Sequence, residues 1–190
     1  MLNQQAILRQ LSEYQPFDDV EAAHHAKLSD FVANASNDLQ LTSRENPIGH
    51  LTASAWVLDP SGDKALLTHH RKLEMWLQLG GHVDDDNELS IAALREAVEE
   101  SGIEQIKLLN DQIFDIDVHL IPERNKNGVH EPAHYHFDVR YLMKAATTVF
   151  AVSEESLNLE WVELDANDPR LAEDSINRMV LKTAGRMLLD

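Results

Sequence analysis

Residues 80–103 read GGHVDDDNELSIAALREAVEESGI: two glycines, a run of acids, a helix-like segment and a closing glycine. Within it Glu96, Glu99 and Glu100 recur at helical spacing, and residues three and four apart share one helical face. The three carboxylates can therefore converge on one point, where like charges repel unless a cation offsets them. All-oxygen donors of this kind suit a hard divalent ion. Ile91, Leu94 and Val98 are the expected apolar side of the helix, Ser90 or a neighbour its cap, and Gly102 its stop. Arg95 lies beside the acids and can hold one of them by a charge-assisted hydrogen bond. Gly80 and Gly81 allow a tight bend that brings backbone close to a ligand. For a generic EAVEE run, a solvated acidic face would suffice as explanation. Here the order of residues says more than the composition.

Working outward, Leu51–Leu58 is rich in strand-favouring residues and is followed by Asp59-Pro60-Ser61-Gly62, which has turn chemistry at every position. Ala65–Thr68 answers it, predicting a hairpin, and a short strand around Trp76–Leu79 delivers the chain to the glycines. Beyond the stretch, residues 113–121 alternate: Phe114, Ile116, Val118 and Leu120 oppose Asp115, Asp117 and His119. Residues 134–142 alternate again, with Tyr135, Phe137, Val139 and Tyr141 opposed to His134, His136, Asp138 and Arg140. Paired as neighbours, these strands would merge their polar faces. Leu157–Leu164 is a last strand, and a helix from about Ser175 closes the chain with Ile176, Met179, Val180, Ala184, Met187 and Leu188 as its stripe. Strands on both sides of a central helix indicate an α/β fold with a mixed sheet between helical layers.

Ahead of this unit, Ile7, Leu8, Leu11 and Tyr14 form one helical stripe, and a second helix begins at Asp18 or Asp19. A polar segment, 37–49, reads as a linker. The expected division is a helical N-terminal extension, residues 1–45, and a main domain, residues 46–190. The extension is expected to cover the core or to form a homodimer surface.

The chain of 190 residues carries a net charge of −17 and no cysteine. Such a surface repels phosphate backbones and argues against nucleic acid as a partner. An acidic protein can still handle small phosphates when a metal ion supplies local positive charge. Disulfides, thiolate metal sites and cysteine nucleophiles are excluded, which fits a reducing compartment. Neither a signal peptide nor a membrane span is legible, so the expectation is a cytoplasmic protein with no membrane partner.

The 80–103 stretch resembles the signature of the Nudix hydrolases, G-x5-E-x7-R-E-U-x-E-E-x-G-U, where U is aliphatic. Gly81, Arg95, Glu96, Glu99, Glu100, Gly102 and Ile103 fall on its fixed positions. Asn87 stands where the pattern has its first glutamate, with Glu88 beside it, and Ala97 is a milder variation. The resemblance implies an α/β/α sandwich around a mixed sheet, and hydrolysis of the diphosphate bond in a nucleoside diphosphate linked to a further group, such as a nucleotide sugar or an ADP-ribose-like compound. It implies Mg²⁺, or Mn²⁺, held by Glu96, Glu99 and Glu100 with the Gly80 carbonyl. It also implies catalytic roles for Glu96, Glu99 and Arg95, and a supporting role for the glutamate that Asn87 replaces. A nucleoside triphosphate pyrophosphohydrolase and a non-catalytic nucleotide-binding regulator are the alternatives.

Substrate choice should come from outside the signature. The candidates are His119, His134, His136 and Arg140 on the merged polar face, where histidines two apart on a strand point the same way and can bind phosphates or a second metal. Asp115, Asp117 and Asp138 share that face, and His130 lies in the intervening loop. Arg71 and Lys72 are candidates for substrate phosphates, and Glu154 and Glu155 for an additional loop carboxylate. Trp56, Trp76 and Trp161 are read as core.

Overall fold

In a computed structural model, residues 2–71, 74–126, 129–151 and 156–187 are described. Three helices come first: α1 (Gln4–Glu13), α2 (Asp19–Asn34) and the short α3 (Asp38–Thr42). Each starts on a side-chain cap, with Asn3, Asp18 and Asn37 accepting from the backbone N–H three residues on. The segment expected to be a linker thus contains α3, whose Leu41 is buried.

Strand β1 (Gly49–Leu58) is the axis of the fold and is buried along its whole length. It turns through Asp59 into β2 (Lys64–His70) as predicted, with β3 (Met75–Leu77) and β4 (Leu79–His82) following. The Asp59 side chain makes that turn: its Oδ1 accepts from the N–H groups of Gly62, Asp63 and Lys64 at 2.8, 2.9 and 3.1 Å. Helix α4 (Leu89–Ser101) comes next, then β5 (Ile106–Leu108), β6 (Asp115–Ile121), the small hairpin β7 (Arg124–Lys126) and β8 (Val129–Glu131), β9 (His134–Ala145), β10 (Ser156–Glu163) and α5 (Asp174–Met187). Leu188, expected in the last stripe, lies outside the described residues.

Among the described residues, eight strands form one mixed sheet. β1 runs parallel to β9 from Gly49↔Tyr135 to Leu58↔Lys144, and antiparallel to β4 through Thr52↔His82 to Ala55↔Leu79. β6 pairs antiparallel with β9, so the two alternating segments are neighbours and their polar faces merge, with Asp115 opposite Arg140 and His119 opposite His136.

The pleat sends alternate side chains to opposite faces. Leu51, Ala53, Ala55 and Val57 of β1 join Phe137, Val139, Tyr141 and Met143 of β9 in a core covered by the N-terminal helices and α4, to which Ile7, Leu11, Leu28 and Val32 contribute. On the other face Trp56, Leu58 and Leu142 pack against Ile176, Met179 and Val180 of α5. The α/β/α sandwich is the observed architecture.

Leu94 and Val98 of α4 pack against the core as expected, but the buried side of the helix is centred elsewhere. Leu89, Ala92, Ala93 and Ala97 are buried, whereas Ile91 is 42% exposed. Alanines at the contact let the helix axis approach the sheet closely, a signal that ranking by side-chain size overlooks. The N-cap position is Glu88, which makes no side-chain cap hydrogen bond, and Gly102 closes the helix at φ 66°.

Candidate active site

Strand β4 presents its two glycines to opposite faces of the sheet. A β-carbon on Gly81 would lie 2.7 Å from Glu96 Oε2, and one on Gly80 would lie 2.6 Å from the Ser54 Cα. With no side chain at either position, the backbone lies against the α4 carboxylates on one side and the polar face on the other.

Arg95 organises the α4 side. Its Nε donates to Asp86 at 2.8 Å, its Nη1 to Glu96 at 2.8 Å and Glu99 at 3.2 Å, and its Nη2 to the His82 carbonyl at 2.8 Å. One guanidinium thus ties the loop after β4 to two of the three glutamates. Glu100 is turned to the strand, where its Oε2 accepts from the Gly80 N–H at 3.3 Å. The three carboxylates do line one side of α4, yet they are divided between these partners rather than gathered on one point. Burial raises the Glu96 pKa, a change that Arg95 only partly offsets. A half-buried carboxyl with a raised pKa, next to an exposed Glu99 and a backbone strand without side chains, is a donor set that suits a hard divalent cation.

Two contributors went unseen in the sequence. Asp86 takes the Arg95 Nε although the signature acid is missing at Asn87, one position away. Arg44, in the segment before β1, donates to Asp84 at 2.7 Å and so braces the same loop, where Asp84 adopts a left-handed φ of 50°. The repeat of aspartates at 84–86 was the available signal for the first; nothing local announced the second.

On the opposite face, the expected half-solvated strand surface divides into two parts. Toward α5 it is sealed. Arg140, expected to meet substrate, is 3% exposed and donates to Asp138 at 2.8 Å and Asp115 at 3.3 Å, while Arg178 of α5 grips Asp115 through Nε and Nη2 at 2.8 and 2.9 Å. Thr52, Ser54 and Gln78 donate to Asp138. Arg140 is therefore a structural cation and not a substrate contact: opposing charges close the network, and unpairing any of them inside the protein would be costly.

Toward the other end the face is made of imidazoles. His136 packs against His119 and His134 with ring centroids 5.4 Å away in each case, so the structure brings three predicted histidines together. It adds two that the sequence reading left out, His50 of β1 and His82 of β4, at 4.8 and 5.7 Å from the His136 ring. His119 keeps an elevated pKa: burial lowers it, but the Asp117 carboxylate at 2.8 Å outweighs that. His130 lies exposed on β8, outside the ring contacts of this group, and Arg71 is exposed in the turn after β2. Lys72, Glu154 and Glu155 lie outside the described residues. Trp56 is fully buried, and Trp76 and Trp161 are partly buried against the cores, as expected. A recess of about 740 Å³ lined by Tyr14, Gln112 and Lys182 holds none of the residues of 80–103. Its size does not make it the reaction site, since the α4 carboxylates lie elsewhere.

Comparison with known proteins agrees with this geometry. The NUDIX domain family matches residues 49–182. A crystal structure of a NUDIX-family hydrolase from Clostridium perfringens is 25% identical, with a TM-score of 0.50 over 74% of this chain and 98% of that one. The C. elegans Ap4A hydrolase binary complex is 19% identical, TM-score 0.52, over 74% and 98% of the two chains. The E. coli dihydroneopterin triphosphate pyrophosphohydrolase is 18% identical, TM-score 0.53, over 68% and 91%. The last two likenesses are of fold alone. No curated protein matches the sequence closely enough to count as a relative. Among the described residues no helix is long and apolar enough to cross a membrane. The matched region spans β1 to α5 and contains the whole arginine–glutamate arrangement, so the chain belongs to the NUDIX domain family, as a pyrophosphohydrolase.

Proposed function

We propose that the protein hydrolyses the diphosphate bond of a nucleoside diphosphate linked to a second moiety, a nucleotide sugar or an ADP-ribose-like compound. The observation that carries this reading is the grip of Arg95 on Glu96, Glu99 and the His82 carbonyl, which fixes carboxylates beside side-chain-free backbone. Hydrolases of this family generally use divalent metal ions. Glu96, Glu99, Glu100 and the Gly80 carbonyl would hold the ion, for which we propose Mg²⁺ or Mn²⁺, because every donor is a hard oxygen. When bound, it neutralises charge on the diphosphate.

The residues of the chain supply the rest. Arg95 orients the two carboxylates, and Glu96 and Glu99 are the proposed catalytic carboxylates, one of which takes a proton from the attacking water. His119, His134 and His136 are the proposed contacts for the group beyond the diphosphate, with Arg71 at the rim.

Incubation with ADP-ribose, nucleotide sugars, dinucleoside polyphosphates and nucleoside triphosphates, in Mg²⁺ or Mn²⁺, tests the reading by product. Turnover fastest on the diphosphate-linked compounds is the expected result. Preference for triphosphates would replace the substrate class, and tight nucleotide binding without turnover would replace catalysis with regulation. Glu100→Gln is expected to remove most of the metal-dependent rate with the fold intact. A variant as fast as the parent would show that the carboxylates are wrongly assigned.

A further inference from the structure

Five imidazoles on one sheet face demand a physical reason. The His50 ring is central among them, with centroids 5.1 Å from His82, 5.3 Å from His134 and 4.8 Å from His136. It is 2% exposed, and neither of its ring nitrogens has a hydrogen-bond partner among the described residues. A buried polar group left this way costs about 1–3 kcal/mol, and such groups are rare. One nitrogen each of His50, His82 and His136 lie within 4.8 Å of one another. On a tetrahedral zinc, with Zn–N near 2.0–2.1 Å, ligand nitrogens are roughly 3.3 Å apart, a spacing that small ring rotations reach from here.

Two further imidazoles flank these three, each held through Nδ1 by an acceptor. The carbonyl of Pro132, 2.9 Å from His134 Nδ1, can only accept, so Nδ1 carries a proton. The carboxylate of Asp117 likewise fixes His119 through Nδ1.

We propose that His50, His82 and His136 form a metal site separate from the carboxylates of α4, taking a zinc-class transition ion (Zn²⁺ or Co²⁺) through imidazole nitrogen. Three neutral nitrogen donors discriminate against Mg²⁺, which prefers oxygen, so the two sites select different ions. Three protein ligands leave a tetrahedral ion one position for water or an anionic oxygen. Because His82 also lends its carbonyl to Arg95, this site and the glutamate helix share strand β4. With His136 holding the ion, its proposed contact with the substrate would run through the ion's open position, and the inference does not depend on which substrate is hydrolysed.

Metal-stripped wild-type protein is titrated with Co²⁺ and Zn²⁺ in the presence of millimolar Mg²⁺, following the visible d–d absorption of Co²⁺ and the imidazole ¹H–¹⁵N resonances on Zn²⁺ addition. The expected result is one equivalent bound, a tetrahedral-type Co²⁺ band, and shifts at His50, His82 and His136. His82→Gln and His136→Gln should each weaken Co²⁺ binding by about 100-fold or more, whereas the double variant Glu96→Gln/Glu99→Gln stays within about threefold of the parent. Far-UV circular dichroism checks each fold, and if a histidine variant fails to fold, the wild-type imidazole spectrum decides alone. Absence of tight Co²⁺ binding by the parent, undisturbed imidazoles, or loss of binding in the glutamate variant instead of the histidine variants would each overturn the proposal.

Discussion

Asp86 holds Arg95: the carboxylate Oδ2 accepts from the guanidinium Nε at 2.8 Å, next to the position where the family signature carries a glutamate and this chain carries Asn87. The arginine keeps its anchor because the acid has moved one residue along the loop. Asp86→Ala should therefore lower kcat by about 10- to 100-fold with a smaller change in KM, since a group that only positions others acts through geometry. Asn87→Glu should stay within about twofold of the parent. Steady-state kinetics on the best substrate of the panel checks both, and a silent Asp86→Ala would deny the aspartate its role.

The two glycines of β4 should fail in different ways. An alanine β-carbon at 81 meets the far end of Glu96, which can swing aside, so Gly81→Ala is expected to cost at least about tenfold in rate with little loss of stability. At position 80 the φ is 154° and the atoms met are the Oγ, Cα and Cβ of Ser54, of which the backbone Cα cannot swing aside, so Gly80→Ala should lower unfolding free energy by about 2 kcal/mol or more. Urea denaturation beside activity measurements separates the two.

Glu21 is fully buried on α2, where it accepts from the Ile116 N–H at 3.0 Å and the Phe17 N–H at 2.6 Å and pairs with Lys182 of α5. Glu21→Ala strands those donors and should destabilise the protein by roughly 3–5 kcal/mol. A chain cut to residues 46–190 also loses Ile7, Leu11, Leu28 and Val32 from the core and should be less stable still. Urea midpoints for the three proteins give the order.

Asp59 supplies an acid-sensitive contribution. Burial raises its pKa, but the Ser61 hydroxyl and the surrounding backbone N–H groups outweigh that and leave it below the ordinary 3.8. A depressed carboxyl stabilises the fold above its unfolded pKa, and that stability disappears as pH falls through the folded value. The gap between wild type and Asp59→Ala, about 1–2 kcal/mol, should hold from pH 7 to 5 and shrink below about 3.8. Urea midpoints at pH 7, 5 and 3 follow it.

Local pattern served well where the deciding contacts are local. The Asp59 turn, the alternation of β9 and of the middle of β6, and the glycine-to-glycine reach of the central stretch hold, because period and turn chemistry act over a few residues; at the ends of the first segment Phe114 packs in the α5 core and Leu120 is 54% exposed. Misplacements came where distant chain closes over a residue. Arg140 alternates as a surface residue would, and only α5, arriving with Arg178 and Lys182, shuts the network around it. His50 and His82 each stand alone in sequence; their membership in the imidazole cluster depends on β1 lying between β4 and β9. Ile91 of α4 is exposed for a simpler reason: alanines bury deepest where a helix presses closest, while Leu94 and Val98 pack as their spacing predicts.

The ladder between β1 and β9 joins residues 86 apart, as in the Thr52 and Asp138 pair, and it is parallel for ten successive positions. Neither strand can gain that partner until the intervening chain has been drawn into a loop, and the entropy of closing the loop precedes the reward. Folding should accordingly run in milliseconds to seconds rather than microseconds, with the central strand among the last to be secured. Throughout that interval the apolar β1, buried end to end in the native state, is exposed, so self-association during refolding should rise with protein concentration.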